Sequence, residues 1–299
     1  MKLAHYQSKP NYGDALNPFL APRVFGNIFD DDDRVQMLFI GTMIRREARC
    51  DREIIIGAGA GYQRGQHVMK DRTVFCVRGP LTCKTLGIDT ELAAIDPAIT
   101  LSRYVPAGSP AGPSFMPHHH SHSLAEKHLR RACGEVGLDY ISPLDDVETV
   151  TRQISASSVL ITEALHGSVV AESYGVPWIP VIFSSKVLEV KWKEFCLTIG
   201  NEYRPIEIGT NVSFDGKVKL GSRIKYSLGK LGIAPKRYRY LPVKRLTADR
   251  LLAFERKLKD LIRSRPAAIS NRSVAQTSIR KLDDAIDRFL NSRAAAATG

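Results

Sequence analysis

No apolar run in the sequence approaches the ~20 residues that a membrane-spanning helix needs. The opening MKLAHYQSKPNYGD has no apolar core of the kind that a secretion signal carries, so a cytoplasmic location is expected. Cysteine is scarce. The five residues Cys50, Cys76, Cys83, Cys133 and Cys196 are scattered, odd in number and without a C-x-x-C pair, which excludes a disulfide framework and offers no zinc site. They are expected to be reduced and to pack. No segment repeats at a fixed period, and nothing in the sequence specifies an oligomer.

What is present fits a globular chain. Its 299 residues, 43% of them hydrophobic, suffice for two modest domains with real cores. The net charge of +12 is not spread evenly. Residues 217–265 hold 16 Lys and Arg against 3 Asp and Glu, which leaves 27 basic and 28 acidic residues elsewhere. Such a segment suits a dense array of negative charge, in nucleic acid, anionic lipid headgroups or an anionic substrate. SRIKYSLGKLGIAPKRYRYLP (222–242) contains no recognised nucleic-acid module, so no specific nucleic-acid partner is expected.

The first hundred residues have the grammar of an α/β protein. VQMLFIGTMI (35–44), EIIIGAGAGY (53–62) and TVFCVRGP (73–80) each run from apolar residues into Gly or Pro, as buried parallel strands do where they feed loops. LTCKTLGI (81–88) predicts a helix stopped by Gly87, and VPAGSPAGPS (105–114) is a linker. The pattern then resumes. FMPHHHSH (115–122) precedes a helix over 123–137, DYIS follows, a helix over 143–157 has Asp145 and Asp146 in its first turn, and SVLIT (158–162) is a strand. Strands separated by helices of this length predict parallel sheets. The expected fold class is α/β, with two Rossmann-like domains facing a cleft (GT-B-like) at 1–105 and 115–200. A basic extension over 201–299 carries C-terminal helices at 245–265, with Thr247 as N-cap, and at 273–293, before a frayed AAAATG tail. Residues 205–221 predict a hairpin or loop.

Ligands of parallel sheets bind beyond the carboxyl ends of the strands. Candidate binding residues there are Asn11, Gly13 and Asp14 in NYGDALNPFL, Arg78 in VRGP, His118, His119 and His120, and Glu163 and His166 in ITEALHGSVVAESYG. GAGAG (57–61) has the wrong spacing for a dinucleotide fingerprint, although its glycines allow an anion close to backbone N–H groups. The histidine tract has no carboxylate partners placed for a metal, so no metal is expected and a substrate contact is preferred. After His166 a small-residue helix would present a positive N-terminus suited to phosphate or carboxylate, with Gly167 permitting close approach.

Taken in order, NYGDALNPFL, FIGTMI, IIIGAGAG, VRGPLT, DPAI, FMPHHH, the block over 141–181 and KWKEFC (191–196) resemble the polysaccharide pyruvyltransferase family, in particular its bacterial exopolysaccharide ketal branch. The resemblance covers roughly residues 6–200. It implies transfer of the pyruvyl unit of phosphoenolpyruvate to two hydroxyls of one sugar, in an exopolysaccharide or its lipid-linked precursor, with no cofactor beyond that donor. It also implies His166 of Leu165-His166-Gly167 as general acid and Arg78 as anion clamp. Many members carry Arg directly before Leu-His-Gly. Here that position is Ala164, so another cation is required, and Lys186, Lys191 and Arg204 are the candidates. Rival readings are a GT-B glycosyltransferase using a nucleotide sugar and a nucleic-acid or anionic-surface binding protein. Under the enzyme reading, 217–265 would hold the chain at the inner membrane face, where lipid-linked saccharides are assembled.

Overall fold

A computed structural model describes residues 1–7, 11–61, 65–209, 211–213, 219–264, 267, 268 and 270–298. Lys217 and Arg265, the two ends of the basic segment, lie outside the described residues, as does the middle of the 205–221 stretch. The chain forms two units, one comprising Met1–Pro106, Val190–Tyr203 and Ile269–Gly299, the other Ala107–Glu189 and Arg204–Ala268.

The first unit starts with β1 (Lys2–Ala4), α1 (Tyr12–Phe25), β2 (Val35–Leu38), β3 (Arg52–Ile56), β4 (Arg72–Cys76) and α2 (Pro80–Leu86). Its four strands are parallel and lie in sequence order, β1-β2-β3-β4. Asn11 caps α1, its side-chain oxygen accepting from the Asp14 N–H at 3.1 Å, while its amide donates to the Asp14 carboxylate. NYGD is thus a helix start that satisfies one of its own leading N–H groups. Asn17 pins α1 to the end of β2, donating to the Ile40 carbonyl at 3.0 Å and accepting from the Ile40 N–H at 2.9 Å. Gly87, at φ 68° and ψ 34°, stops α2 as expected.

The second unit contains β5 (Ser114–Met116), α3 (His119–Val136), β6 (Asp139–Tyr140), α4 (Val147–Ala156), β7 (Leu160–Thr162), α5 (Leu165–Ser173) and β8 (Trp178–Ile182). The chain then leaves through α6 (Glu189–Thr198) and returns as β9 (Ile206–Glu207). All pairings are parallel and the order is β6-β5-β7-β8-β9. Where a hairpin or loop was expected over 205–221, the described residues form β9 at the sheet edge and β10 (Val212–Ser213), which pairs in parallel with β11 (Lys244–Arg245) beyond α7 (Leu220–Lys230). The α8 helix (Ala248–Ser264) buries Phe254, Leu258 and Leu261 against Ile161, Ile179, Val181 and Leu129.

The last helix, α9 (Arg272–Thr298), belongs to the first unit. Phe289 lies between Phe25 and Phe75, with ring centroids 5.6 and 5.4 Å away, and Arg288 donates to the Phe75 carbonyl at 3.0 Å. Residues 201–299, expected as one extension, are therefore divided between both units. The tail differs as well: α9 runs on to Thr298, because a string of alanines is the best helix-forming sequence available. Cys76, Cys83, Cys133 and Cys196 are buried, Cys50 is half-buried, and none forms a disulfide. Burial pushes the Cys76 and Cys133 thiols up to about 12.

Candidate active site

In the second unit the chain steps from β5 to β6 on one side and then back to β7 on the other. The order reverses between β5 and β7, which is where an open parallel sheet leaves a crevice beyond its carboxyl ends. Two helices begin there. His118 caps α3, its Nδ1 accepting from the His120 N–H at 3.3 Å, and the His118 and His119 rings lie 4.2 Å apart. The α5 helix begins at Leu165 behind Ala164, which supplies no side-chain cap. His166 is consequently inside the first turn of α5. The sequence had suggested a helix starting only after it; the earlier start fits because Gly167 has no side chain, and a Cβ there would lie 2.8 Å from Thr162 Oγ1 and 2.9 Å from Met116 Sδ. Likewise α3 starts at His119 and takes most of the histidine tract into its first turns, while Asp146 caps α4 by accepting from the Thr149 N–H at 2.9 Å. His118, His119, His120, Leu165 and His166 are all half-buried.

Glu163, expected to contact substrate, is fully buried. One carboxylate oxygen accepts from the N–H groups of Phe183 and Ser184, at 3.0 and 2.7 Å, and the other from the His118 N–H at 3.2 Å. It ties the loops after β5 and β8 to the end of β7. Burial raises its pKa above the ordinary carboxylate value, while these donors act in the opposite sense. Glu163 therefore holds His118 in place rather than presenting a carboxylate of its own.

The first unit concentrates charge at the ends of β3 and β4. Arg78 is 1% exposed. Its Nε and Nη2 donate to Glu194 Oε2 at 3.0 and 2.9 Å, and its Nη1 donates to the Thr42 hydroxyl at 3.0 Å. Glu194 Oε1 accepts from the Thr82 N–H at 2.6 Å, in the first turn of α2. Arg78 and the N-terminus of α2 together hold an anion, the carboxylate of Glu194 on α6. The clamp role expected of Arg78 is thus filled from within the chain. Two of the three glycines of GAGAG are also committed: the Gly57 N–H donates to the Cys76 carbonyl at 3.0 Å and the Gly59 N–H to the Gly41 carbonyl at 2.8 Å. A Cβ on Gly59 would lie 2.4 Å from the Arg78 guanidinium, so the close approach predicted there is made by Arg78.

Lys191 stands in the first turn of α6 and is half-buried. Burial and the neighbouring Arg78 charge lower its pKa to about 8, against the opposing pull of Asp14 and Asp96. Lys186 and Arg204 are exposed. Glu194, Thr82 and Asn17 escaped the sequence reading; their signal lay inside motifs already noted, KWKEFC, VRGPLT and NYGDALN, in polar residues next to the ones chosen. Among the described residues no three His, Cys, Asp or Glu side chains are grouped to hold a metal ion, and no helix is long and apolar enough to cross a membrane.

Fold and site define a class: an α/β protein of two Rossmann-like units, with histidines at the carboxyl ends of parallel strands. The family model for polysaccharide pyruvyl transferase matches residues 13–185. The succinoglycan biosynthesis protein ExoV of Rhizobium meliloti (strain 1021) is 30% identical over 228 residues, 73% of this chain and 71% of that protein. No solved structure gives a significant match. The chain belongs to the polysaccharide pyruvyl transferase family, and of the two transferase chemistries weighed from the sequence, this selects pyruvyl transfer.

Proposed function

We propose that the chain moves the pyruvyl unit of phosphoenolpyruvate onto two hydroxyls of one sugar in an exopolysaccharide or its lipid-linked precursor, releasing phosphate and needing no further cofactor. The observation that carries this reading is His166 in the first turn of α5, at the order reversal of a parallel sheet and behind an N-cap without a side-chain partner. A helix start of this kind favours phosphate and carboxylate, and phosphoenolpyruvate has both.

His166 gives a proton to the methylene carbon of the donor, making it a methyl group and leaving an oxocarbenium-like carbon beside it. One sugar hydroxyl adds to that carbon, phosphate departs, and the second hydroxyl closes the ketal. Of the two protons the hydroxyls lose, one restores His166 and the other leaves with phosphate. His118, His119 and His120 bind the donor from the start of α3. Of the three candidate cations we assign Lys191 to the donor, since it alone is held half-buried among other charges. The basic stretch holds the enzyme peripherally at the inner membrane face.

His166→Ala is expected to reduce acceptor-dependent phosphate release from phosphoenolpyruvate by at least the 10²–10⁴-fold typical of a lost general acid, with unchanged thermal unfolding. Turnover within a few-fold of wild type would remove His166 from the mechanism.

A further inference from the structure

The α7 helix is built inside out. Its buried position, Gly229, faces the 3-10 turn Lys236–Tyr240, where a Cβ would lie 2.9 Å from Tyr238 Cβ. Its aliphatic side chains point elsewhere. Leu220, Ile224, Leu228 and Leu231, spaced by four, four and three residues, fall within about 80° of helical arc, and they are 73, 56, 37 and 72% exposed. Ile233, just beyond the helix, is 72% exposed. These five are among only thirteen large hydrophobic side chains exposed by the described residues, and the others are scattered along the chain. An ordinary surface helix turns such a stripe inward; a contiguous outward stripe marks a surface that is covered by something else.

The surrounding charge identifies the cover. From Lys217 to Thr247 the sequence has ten Lys and Arg and no Asp or Glu. Lys219, Arg223, Lys225, Lys230 and Arg239 are all exposed, and the four on or beside α7 flank the stripe. An aliphatic stripe edged by cations is the chemistry that lies in the interface of an anionic bilayer, with the apolar side chains below the headgroups and the Lys and Arg among them. Nucleic acid would neutralise the cations and leave the aliphatic row against water. A second copy of the chain would bring like charge against like charge.

We propose that α7, with the turn through Ile233, is an interfacial anchor that lays this protein on an anionic lipid surface. The inference rests on the peripheral-membrane part of the reading above and is independent of donor and acceptor. It accounts for the exposed stripe and the basic segment together, and it places an enzyme of lipid-linked saccharides on the surface that carries its acceptor.

The test uses the full chain and vesicles of phosphatidylcholine alone or mixed with phosphatidylglycerol. Wild type is expected to sediment with the anionic vesicles in a salt-sensitive manner and to ignore the neutral ones. Changing Lys219, Arg223, Lys225 and Lys230 to Gln should weaken binding by about five-fold per residue. Changing Leu220, Ile224, Leu228 and Leu231 to Ser should weaken it at least tenfold or so while keeping the charge. Ile224→Trp, which preserves the stripe, should show a blue shift in emission and quenching by brominated lipid acyl chains. Anionic vesicle binding that survives the serine changes, with no quenching of the tryptophan, would overturn the α7 anchor and leave peripheral association standing. Wild type that binds no vesicles would overturn both, as would a stripe-dependent dimer or DNA binding at equal strength in their place. Pyruvyl transfer to a water-soluble acceptor, measured on the same variants, is expected to stay at the wild-type level and tests the enzyme reading separately.

Discussion

Lys191 is pulled in two directions, by burial and Arg78 towards the neutral amine and by Asp14 and Asp96 towards the cation, and the first pair prevails, lowering its pKa from 10.5 to about 8. The folded chain then binds this proton less tightly than the unfolded chain does. The resulting penalty on stability is present below about pH 8 and is relieved as pH rises from about 8 towards 10.5. For activity the sign is opposite: above about pH 8 the free enzyme loses the cation assigned to the donor. kcat/KM for phosphoenolpyruvate should fall about tenfold per pH unit there in wild type, and stay level in Lys191→Arg, whose guanidinium remains charged. A wild-type plateau that persists two units higher would exclude Lys191 from donor binding. Glu194 offers a second residue-scale case. Glu194→Ala would strand the Arg78 guanidinium and the Thr82 N–H in the interior, at about 3–5 kcal/mol by chemical denaturation. Removing both charges, as Arg78→Met with Glu194→Leu, should cost less than Glu194→Ala alone. The sequence could name Arg78 because a cation beside glycine-rich turns invites an anion, and Lys191 only as one of three stand-ins for the arginine missing at Ala164. It could not show that Arg78 already has one, since Glu194 lies 116 residues further along the chain.

At the scale of elements, glycine substitutions separate packing from propensity. Gly167→Ala would force a methyl group against Thr162 and Met116 and push the first turn of α5 off the sheet, costing about 1–3 kcal/mol and lowering kcat as His166 moves. Gly134, inside α3, has nothing within 4 Å of where its Cβ would stand. Gly134→Ala should therefore stabilise the protein by about 0.5–1 kcal/mol, with activity unchanged; both shifts are read from urea titrations. The strands and helices near these positions were legible as alternations of apolar runs with amphipathic stretches. Their starts were less so. The α3 and α5 helices begin earlier than composition suggests because His118 turns its own ring into a cap and because Gly167 lets α5 reach the strand ends, and both devices depend on neighbours brought in by the fold.

At the scale of the whole molecule, residues 201–299 read locally as a basic appendage, because β9 is two residues long and α9 is polar along most of its length. Their partners are distant in sequence. The α9 helix completes the first unit by burying Leu282, Ala285, Ile286 and Phe289, although it lies beyond the residues 13–185 that match the family. Phe289→Ala should open a cavity between Phe25 and Phe75 and destabilise the first unit by about 3–5 kcal/mol. The second unit has its own core around Phe115, Ile161, Ile179 and Leu258, so the two should respond separately. In hydrogen exchange, amides of β3 and β4 should lose protection in Phe289→Ala while those of β7 and β8 keep theirs. Equal loss in both sheets would mean that the chain unfolds as one cooperative body, and that the passages of the chain between the units, at residues 106, 189, 203 and 268, couple them more tightly than separate cores require.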